Sequence, residues 1–341
     1  MPTVFFTGFP GFLGSELLPR ILQRSPGTIA VCLVQPKFAA LARERARPFG
    51  NRVRLIEGDI TAPIDAQTAD ISEIFHLAAI YDLSVSRERG MKINVEGTRN
   101  VLDFAERCPS LRRFHYVSTC YVSGRYDGVF HEDDLEVGQT FNNFYEETKF
   151  LAEVEVRKRS LPLTIYRPSV VVGDSTSGAT QKFDGPYYVM QWLQRQPGVA
   201  ILPVVGRPSR YRFNVVPRDF IIAAIAELSQ KNGATCYQLA DPAPLTVGET
   251  IDVIGRATRR RVIRIPLPQG VAKFAIDRIP GVYRLMRIPS AAIDYFVHPT
   301  IYDTTNTQRD LQLRVPRFAE YAERLATFAR AHPEISASGM A

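Results

Sequence analysis

Cysteine is scarce in this chain and nowhere clustered. Cys32, Cys108, Cys120 and Cys236 are spread over 341 residues, with no CxxC pair and no Cys/His grouping. That spacing implies neither a disulfide framework nor a structural metal site. Long apolar runs are missing as well. Each short one is cut by glycine, proline or a charge, which excludes a membrane-spanning helix of ~20 apolar residues. The first residues are apolar, but no basic segment precedes them and glycine and proline punctuate them. They read as a buried strand rather than a secretory leader, and the cytoplasm is the expected compartment. Lys/Arg runs interleaved with aromatics are lacking too, so no nucleic-acid partner is expected. What the chain has is positive charge: 42 Lys and Arg against 35 Asp and Glu, a formal net +7, most of it arginine. Such an excess suits an anionic ligand, such as a phosphorylated cofactor or coenzyme A.

The stretch Thr3 to Gly14 (TVFFTGFPGFLG) organises the rest. An apolar run ends at Thr7 and meets a glycine-rich turn that opens into an amphipathic helix from Ser15 to Gln23. Gly8 permits the sharp turn, Gly11 a close backbone approach to a pyrophosphate, and Gly14 close packing of the helix on the sheet. The N–H groups after Gly11, at Phe12, Leu13 and Gly14, with the positive end of the helix dipole, form a phosphate cradle. Three glycines before a helix are weak evidence taken alone.

The order of segments strengthens the reading. Apolar, β-branched strands are expected at Thr28 to Gln35, Val53 to Glu57, Ile74 to Ala79, Arg113 to Val117 and Leu163 to Tyr166, separated by helical stretches. Strands without polar alternation, alternating with helices, imply right-handed βαβ crossovers and a doubly wound parallel sheet covered on both faces. The second strand ends in Gln35, Pro36 and Lys37, with Arg43 and Arg45 in the next helix and no carboxylate close by. An acid there would accept from the ribose 2′-hydroxyl of NAD. Its absence favours NADP(H), with Lys37 or one of the two arginines as partner of the 2′-phosphate. Asp59, followed by Ile60 after the third strand, is placed to reach an adenine, and Leu77, Ala78 and Ala79 end the fourth strand with little bulk beside a cofactor. His76 lies within that apolar run and is expected to be a packed core residue.

The architecture expected is α/β: a doubly wound parallel Rossmann sheet with a smaller, mostly C-terminal substrate-binding lobe. Residues 1–175 form the NADP-binding domain, with 211–240 returning to it. Residues 176–210 and 241–333 form the lobe, and 334–341 a frayed tail. The loop 173–180 is expected to be mobile over the site, and Tyr187, Tyr188, Met190, Trp192 and Leu193 to be core or to line an apolar channel. The segment 271–296 mixes apolar and basic residues. Core helices of the lobe are the favoured reading for it; a roof over an acyl pocket and a peripheral membrane contact are the others.

Three functional groups fall at the carboxyl ends of parallel strands or on the adjoining helix: Thr119, Tyr145 and Lys149. A phenol has an ordinary pKa of ~10, and an ammonium one helical turn away is expected to lower it. Tyr145 then exchanges a proton with a substrate oxygen, Thr119 holds that oxygen, and Lys149 reaches the nicotinamide ribose.

Together these motifs resemble an extended short-chain dehydrogenase/reductase: TGFPGFLG (7–14), GDI (58–60), HLAA (76–79), NVEGT (94–98), VSTCYVSG (117–124), YEETK (145–149) and YRPSVVVG (166–173). The resemblance implies Thr119, Tyr145 and Lys149 as the catalytic group. It implies Thr7, Gly8, Gly11, Phe12, Leu13, Gly14, Lys37, Asp59, Ile60, Leu77, Ala78, Ala79, Asn94, Ser118, Pro168, Ser169 and Val170 as cofactor-binding, along with Tyr145 and Lys149 themselves. Within that superfamily the chain is similar to the male-sterility fatty acyl-CoA reductases and thioester reductases. The implied activity is NADPH-dependent reduction of an acyl thioester, or of the derived aldehyde or ketone, on a lipid-like substrate carried by coenzyme A or phosphopantetheine. Arg207, Arg210, Arg212 and Arg218 are candidates for the carrier's phosphates. A homodimer paired through the helices near 93–107 and 144–158 is implied by analogy. The alternatives are a nucleotide-sugar epimerase or dehydratase with retained NAD, against which the missing acid near Gln35 counts, and a non-catalytic NADP-sensing protein, against which the intact Tyr145 and Lys149 count.

Overall fold

Strands that are apolar on both faces must be covered on both sides, and the chain meets that demand with a helix layer on each face of one parallel sheet. The computed structural model describes residues 2–24 and 26–335. It runs β1 (Thr3–Thr7), α1 (Gly14–Gln23), β2 (Ile29–Val34), α2 (Ala39–Ala46), β3 (Val53–Glu57) and β4 (Ile71–His76). A continuous helical stretch follows: α3 (Arg87–Gly90), a π-helical turn at Met91–Glu96, and α4 (Gly97–Glu106). Next come β5 (Arg113–Val117), β6 (Val129–Phe130), α5 (Phe144–Arg157), β7 (Leu163–Pro168), β8 (Val170–Val172), α6 (Pro186–Gln194), β9 (Val199–Val205), β10 (Val215–Pro217), α7 (Arg218–Leu228) and β11 (Cys236–Leu239). The remainder is α8 (Val247–Thr258), β12 (Arg261–Leu267), α9 (Gln269–Arg278), α10 (Val282–Met286), α11 (Ser290–Ile293), β13 (Ile301–Tyr302), α12 (Thr305–Asp310) and α13 (Phe318–Ala331).

Seven strands form the main sheet in the order β11-β7-β5-β4-β1-β2-β3, every pairing parallel. This is the doubly wound Rossmann arrangement. Alternate side chains of β1 serve opposite cores. Val4 and Phe6 pack with Leu17, Leu18 and Ile21 of α1 and Ile221 and Ile225 of α7. Phe5 packs with Val101, Leu102 and Phe104 of α4 and Ala152 and Val156 of α5. Strand order reverses between β1 and β4, so the crevice that accepts ligands in such sheets opens at their carboxyl ends. A third core joins α6, α8 and α13 to β9 through Met190, Leu193, Ile251, Ile254, Tyr321 and Leu325.

Some details differ from the sequence reading. β4 ends at His76, three residues before Ala79, because the chain turns out of the ladder there. The Leu77 N–H reaches the Thr7 carbonyl and the Ala78 N–H reaches Thr7 Oγ1. β8, β9 and β13 form small parallel pairs with β10, β12 and β6 that propensity had not marked. The 173–180 loop is tied down: Asp174 Oδ1 accepts from the backbone and hydroxyls of Thr176 and Ser177, and Ser175 bonds Asp219. In the 271–296 segment, Ala272, Ile276, Ile288, Ala292 and Ile293 are buried, but Val271, Phe274, Ile279 and Tyr283 are exposed. The core-helix reading therefore describes only one side of it. The expected frayed tail lies, from residue 336 on, outside the described residues. Among the described residues no helix is long and apolar enough to cross a membrane. All four cysteines are buried and unpaired.

Candidate active site

The glycine loop is built around one carbonyl. Gly8 has a φ of +91°, a conformation side-chain-bearing residues rarely adopt, and a Cβ there would press on the Leu77–Ala78 backbone at 2.9 Å. A Cβ at Gly11 would sit 2.7 Å from Gly8 O, and one at Gly14 would collide with the same oxygen. Gly14 is thus required by the loop's own backbone, not by packing on the sheet as its spacing suggested. Leu13, which precedes α1, makes no side-chain cap. Among the described residues the N–H groups of Phe12, Leu13 and Gly14 have no acceptor. A cradle that only glycine leaves open, lined by N–H groups at a helix start, fits a dinucleotide pyrophosphate.

The floor beside it is rigidly supported. Thr7 is fully buried, its Oγ1 2.7 Å from His76 Nδ1. Leu77 and Ala78 are half-buried and Ala79 is exposed, leaving the crevice open above them. Asn94 does not face the crevice: Oδ1 accepts from the Ile80 N–H at 2.9 Å and Nδ2 donates to Thr148 Oγ1 at 3.1 Å. The π-helical turn gives Asn94 this position, bracing the loop after β4 against α5. Ile60 is buried against Gly97. Asp59 accepts from Gln35 Nε2 at 2.7 Å, closing the ends of β2 and β3 together.

At the end of β5, Thr119 caps a short helical turn through the Tyr121 N–H. Its hydroxyl donates to the Pro168 carbonyl at 3.4 Å and lies beside the Tyr145 phenol. Asn143 caps α5 by accepting from the Glu146 N–H, which sets Tyr145 and Lys149 on one face of its first turns. Lys149 Nζ donates to the Tyr116 hydroxyl at 3.0 Å and the Val117 carbonyl at 2.9 Å. Burial lowers its pKa to about 7, against the pull of Glu153. The expected depression of the Tyr145 pKa is not found. Burial pushes it well above the ordinary phenol value, Thr119 acts in the opposite direction, and the Lys149 ammonium is directed to Tyr116 and Val117. Tyr81 stacks edge-on against Tyr145 with ring centroids 4.9 Å apart, and Lys182 Nζ lies over the Tyr81 ring and 3.5 Å from the Asp184 carboxylate. Neither Tyr81 nor the Lys182–Asp184 pair stood out in the sequence.

Other expected residues scatter. The Ser118 hydroxyl turns away from the crevice to donate to Glu153 at 2.6 Å. Pro168 ends β7, and Val170 and Ser169 are buried beyond it. Ser169 Oγ has no partner among the described residues, an orphan suited to a ligand. Lys37 is exposed, its ammonium over the Phe38 ring. Arg43 pairs with Glu57, whereas Arg45 reaches back to Pro10 O at 2.7 Å and Ser15 Oγ at 2.6 Å, at the glycine loop itself. Three of the arginines considered for the carrier's phosphates take separate partners. Arg210 faces Asp127, Arg212 donates to the Pro244 carbonyl, and Arg218 lies over the Phe12 ring. Among the described residues no group of His, Cys, Asp and Glu could hold a metal ion.

A family model described as male sterility protein matches residues 6–225. The large subunit of L-2-aminoadipate reductase from Penicillium chrysogenum is 28% identical over 276 residues, 70% of this chain and 19% of that protein. Fatty acyl-CoA reductase 1 of Arabidopsis thaliana is 22% identical over 354 residues, 76% of this chain and 71% of its own. The crystal structure of the terminal R domain from the myxalamid PKS-NRPS pathway superposes with a TM-score of 0.79 at 24% identity, covering 98% of this chain and 92% of that one, a likeness of fold. The chain spans 34% or less of the length of the first curated relatives it matches.

Proposed function

The chain belongs to the male sterility protein family, within the extended short-chain dehydrogenase/reductases of the fatty acyl-CoA reductase and thioester reductase group, and on that premise we propose that it reduces the carbonyl of an acyl thioester at the expense of NADPH. The observation that carries the reading is Thr119 beside the Tyr145 phenol, with Lys149 one turn along the same helix and the glycine cradle at the end of β1.

The N–H groups of residues 12–14 would hold the cofactor's pyrophosphate, and Ala78, Ala79 and Ser169 would flank the nicotinamide end. Arg45 at the loop and Lys37 beyond β2 would take the 2′-phosphate. A bound nicotinamide supplies the hydride. Thr119 and Tyr145 hold the substrate carbonyl oxygen, and Tyr145 passes its phenolic proton to that oxygen as negative charge develops there. When the tetrahedral adduct collapses, the proton returns to Tyr145, the C–S bond breaks, the thiolate takes a proton from solvent and an aldehyde remains. Tyr188, buried against Ile288 and Ala292, supplies an apolar wall suited to an acyl chain, and the thioester carrier would be coenzyme A or a phosphopantetheine arm.

Pure protein mixed with NADPH and a panel of acyl-CoAs, aldehydes and ketones tests the reading through nicotinamide absorbance. Oxidation with acyl-CoA, lost in Tyr145→Phe, is expected. Turnover of ketones alone would replace the thioester assignment. Tightly held NAD released on denaturation would point to an epimerase, and binding without turnover to a sensor.

A further inference from the structure

The chemistry above makes no use of His76, although it is buried in the middle of the sheet at 1% exposure. Its two ring nitrogens are both engaged. Nδ1 lies 2.7 Å from Thr7 Oγ1, and Nε2 lies 3.0 Å from Thr98 Oγ1. Thr98 adjoins the Tyr116 hydroxyl, and that hydroxyl accepts from Lys149 Nζ. At the far end Thr7 Oγ1 accepts from the Ala78 N–H. Five side chains from β1, β4, α4, β5 and α5 thus form one buried run of polar contacts, in which the His76 ring also packs on the Tyr116 ring with centroids 5.6 Å apart. It runs from the catalytic lysine to the residue that opens the glycine loop.

Each ring nitrogen faces a hydroxyl that can either donate or accept, and Thr7 Oγ1 keeps a second lone pair beside the one that accepts from Ala78, so both contacts are satisfied with the imidazole proton on either nitrogen. Burial keeps this ring neutral, with its pKa brought down to about 3.

We propose that Tyr116, Thr98 and His76 are positioning residues that hold the Lys149 ammonium in register with the cofactor floor, through a run of polar and ring contacts anchored at Thr7. Lys149 has three N–H bonds. Tyr116 and the Val117 carbonyl fix two of them, which leaves one directed by geometry rather than by rotation. The groups facing Lys149 are Tyr116 from β5, His76 from β4, and Glu153 and Tyr145 from its own helix. Of these, Tyr116 is the neutral acceptor that favours the charged amine without bringing a charge of its own.

The inference rests on the catalytic role proposed for Lys149, but its first test needs no turnover. Tyr116→Phe keeps the ring under the ammonium, 4.6 Å from its centroid, and removes only the oxygen. The side-chain 15N resonance of Lys149, assigned by its loss in Lys149→Met, reports the titration directly. Losing an acceptor disfavours the ammonium, so the titration is expected to move down by about 0.5–1 pH unit. The alkaline limb of kcat/KM should follow it, with KM for the acyl substrate within about twofold. Thr98→Val should shift both in the same direction by less, and Thr98→Ser should restore them. A titration and alkaline limb left in place by Tyr116→Phe and Thr98→Val, with only the melting temperature lowered, would overturn the proposal. A shifted titration in a protein that turns over no substrate would support the network and sink the functional reading instead.

Discussion

Glu153 and Arg167 meet at 2.6 Å, carboxylate to guanidinium, with neither side chain exposed. The pair sits next to the segment that carries Thr119 and on the helix that carries Tyr145 and Lys149. Ser118, next to Thr119, donates to Glu153, and Arg167 donates to the carbonyls of Glu132 and Asp134. A buried ion pair is weak evidence for net stability, but removing one partner strands the other charge. Glu153→Gln is therefore expected to lower unfolding free energy by about 3–5 kcal/mol in a denaturant titration. Burial acts to raise the Glu153 pKa, but Arg167, Arg157 and the Ser118 hydroxyl outweigh it and hold it below the ordinary carboxylate value. A depressed folded-state pKa gives stability that is present above about pH 4.5 and lost as pH falls through the folded value. The wild type should lose its advantage over Glu153→Gln in that acid window. An unchanged difference from pH 7 to pH 3 would show that Glu153 does not carry the charge.

Much of this framework was legible because the signals are local. The strands at Val53 to Glu57 and Arg113 to Val117 stand where apolar runs put them. What escaped depends on contacts distant in sequence. Ser118 looks like a site residue until Glu153 arrives from α5 to take its hydroxyl. Arg43 and Arg45 are equal candidates by sequence until the helix takes Arg45 to Pro10 and leaves Arg43 with Glu57. β9 is made by pairing with β12, some sixty residues on, as the register Val199↔Arg261 shows. Its Val and Ile residues favour a strand, but Pro203 interrupts the run and only the partner β12 fixes its register.

The loop geometry separates two glycines that composition cannot. Gly14→Ala places a methyl against the Gly8 carbonyl, whereas a Cβ at Gly270 in α9 meets nothing within 4 Å. The first is expected to weaken NADPH binding more than about tenfold with the fold retained, because the cradle must open to admit the methyl. The second should be neutral or stabilising by up to about 1 kcal/mol. Fluorescence titration with NADPH and thermal melts read the two effects, and equal cofactor affinity in both variants would refute the role given to Gly14.

Cofactor preference should divide between Lys37 and Arg45. Lys37 is exposed at the turn after β2, so Lys37→Glu is expected to weaken NADPH about tenfold or more and NADH by less than about twofold. Arg45 also ties Pro10 and Ser15 together, so Arg45→Glu should weaken both cofactors, NADPH more. Calorimetric titration of each variant with each cofactor gives the four affinities. Parallel losses for NADPH and NADH in Lys37→Glu would place the 2′-phosphate elsewhere.

Lys149 links catalysis to stability with a definite sign. Burial holds its folded pKa at about 7, far below that of an unfolded lysine. Between pH 7 and about pH 10 the unfolded chain binds the proton that the folded chain has released, so this residue's contribution to stability rises with pH across that window. Below pH 7 both states carry the charge and the folded state bears the full penalty of burying it. Lys149→Met removes the titration. The free-energy difference between variant and wild type is therefore expected to move in favour of the wild type by on the order of a few kcal/mol from pH 6 to pH 10. The variant should meanwhile lose about 10²–10⁴ in turnover, the range of an acid–base group and its partner. Urea unfolding at a series of pH values, run on both proteins, measures the slope. A constant difference across the range would mean that Lys149 stays charged in the folded protein at pH 10, and that burial is offset by the bonds from Nζ to Tyr116 and Val117.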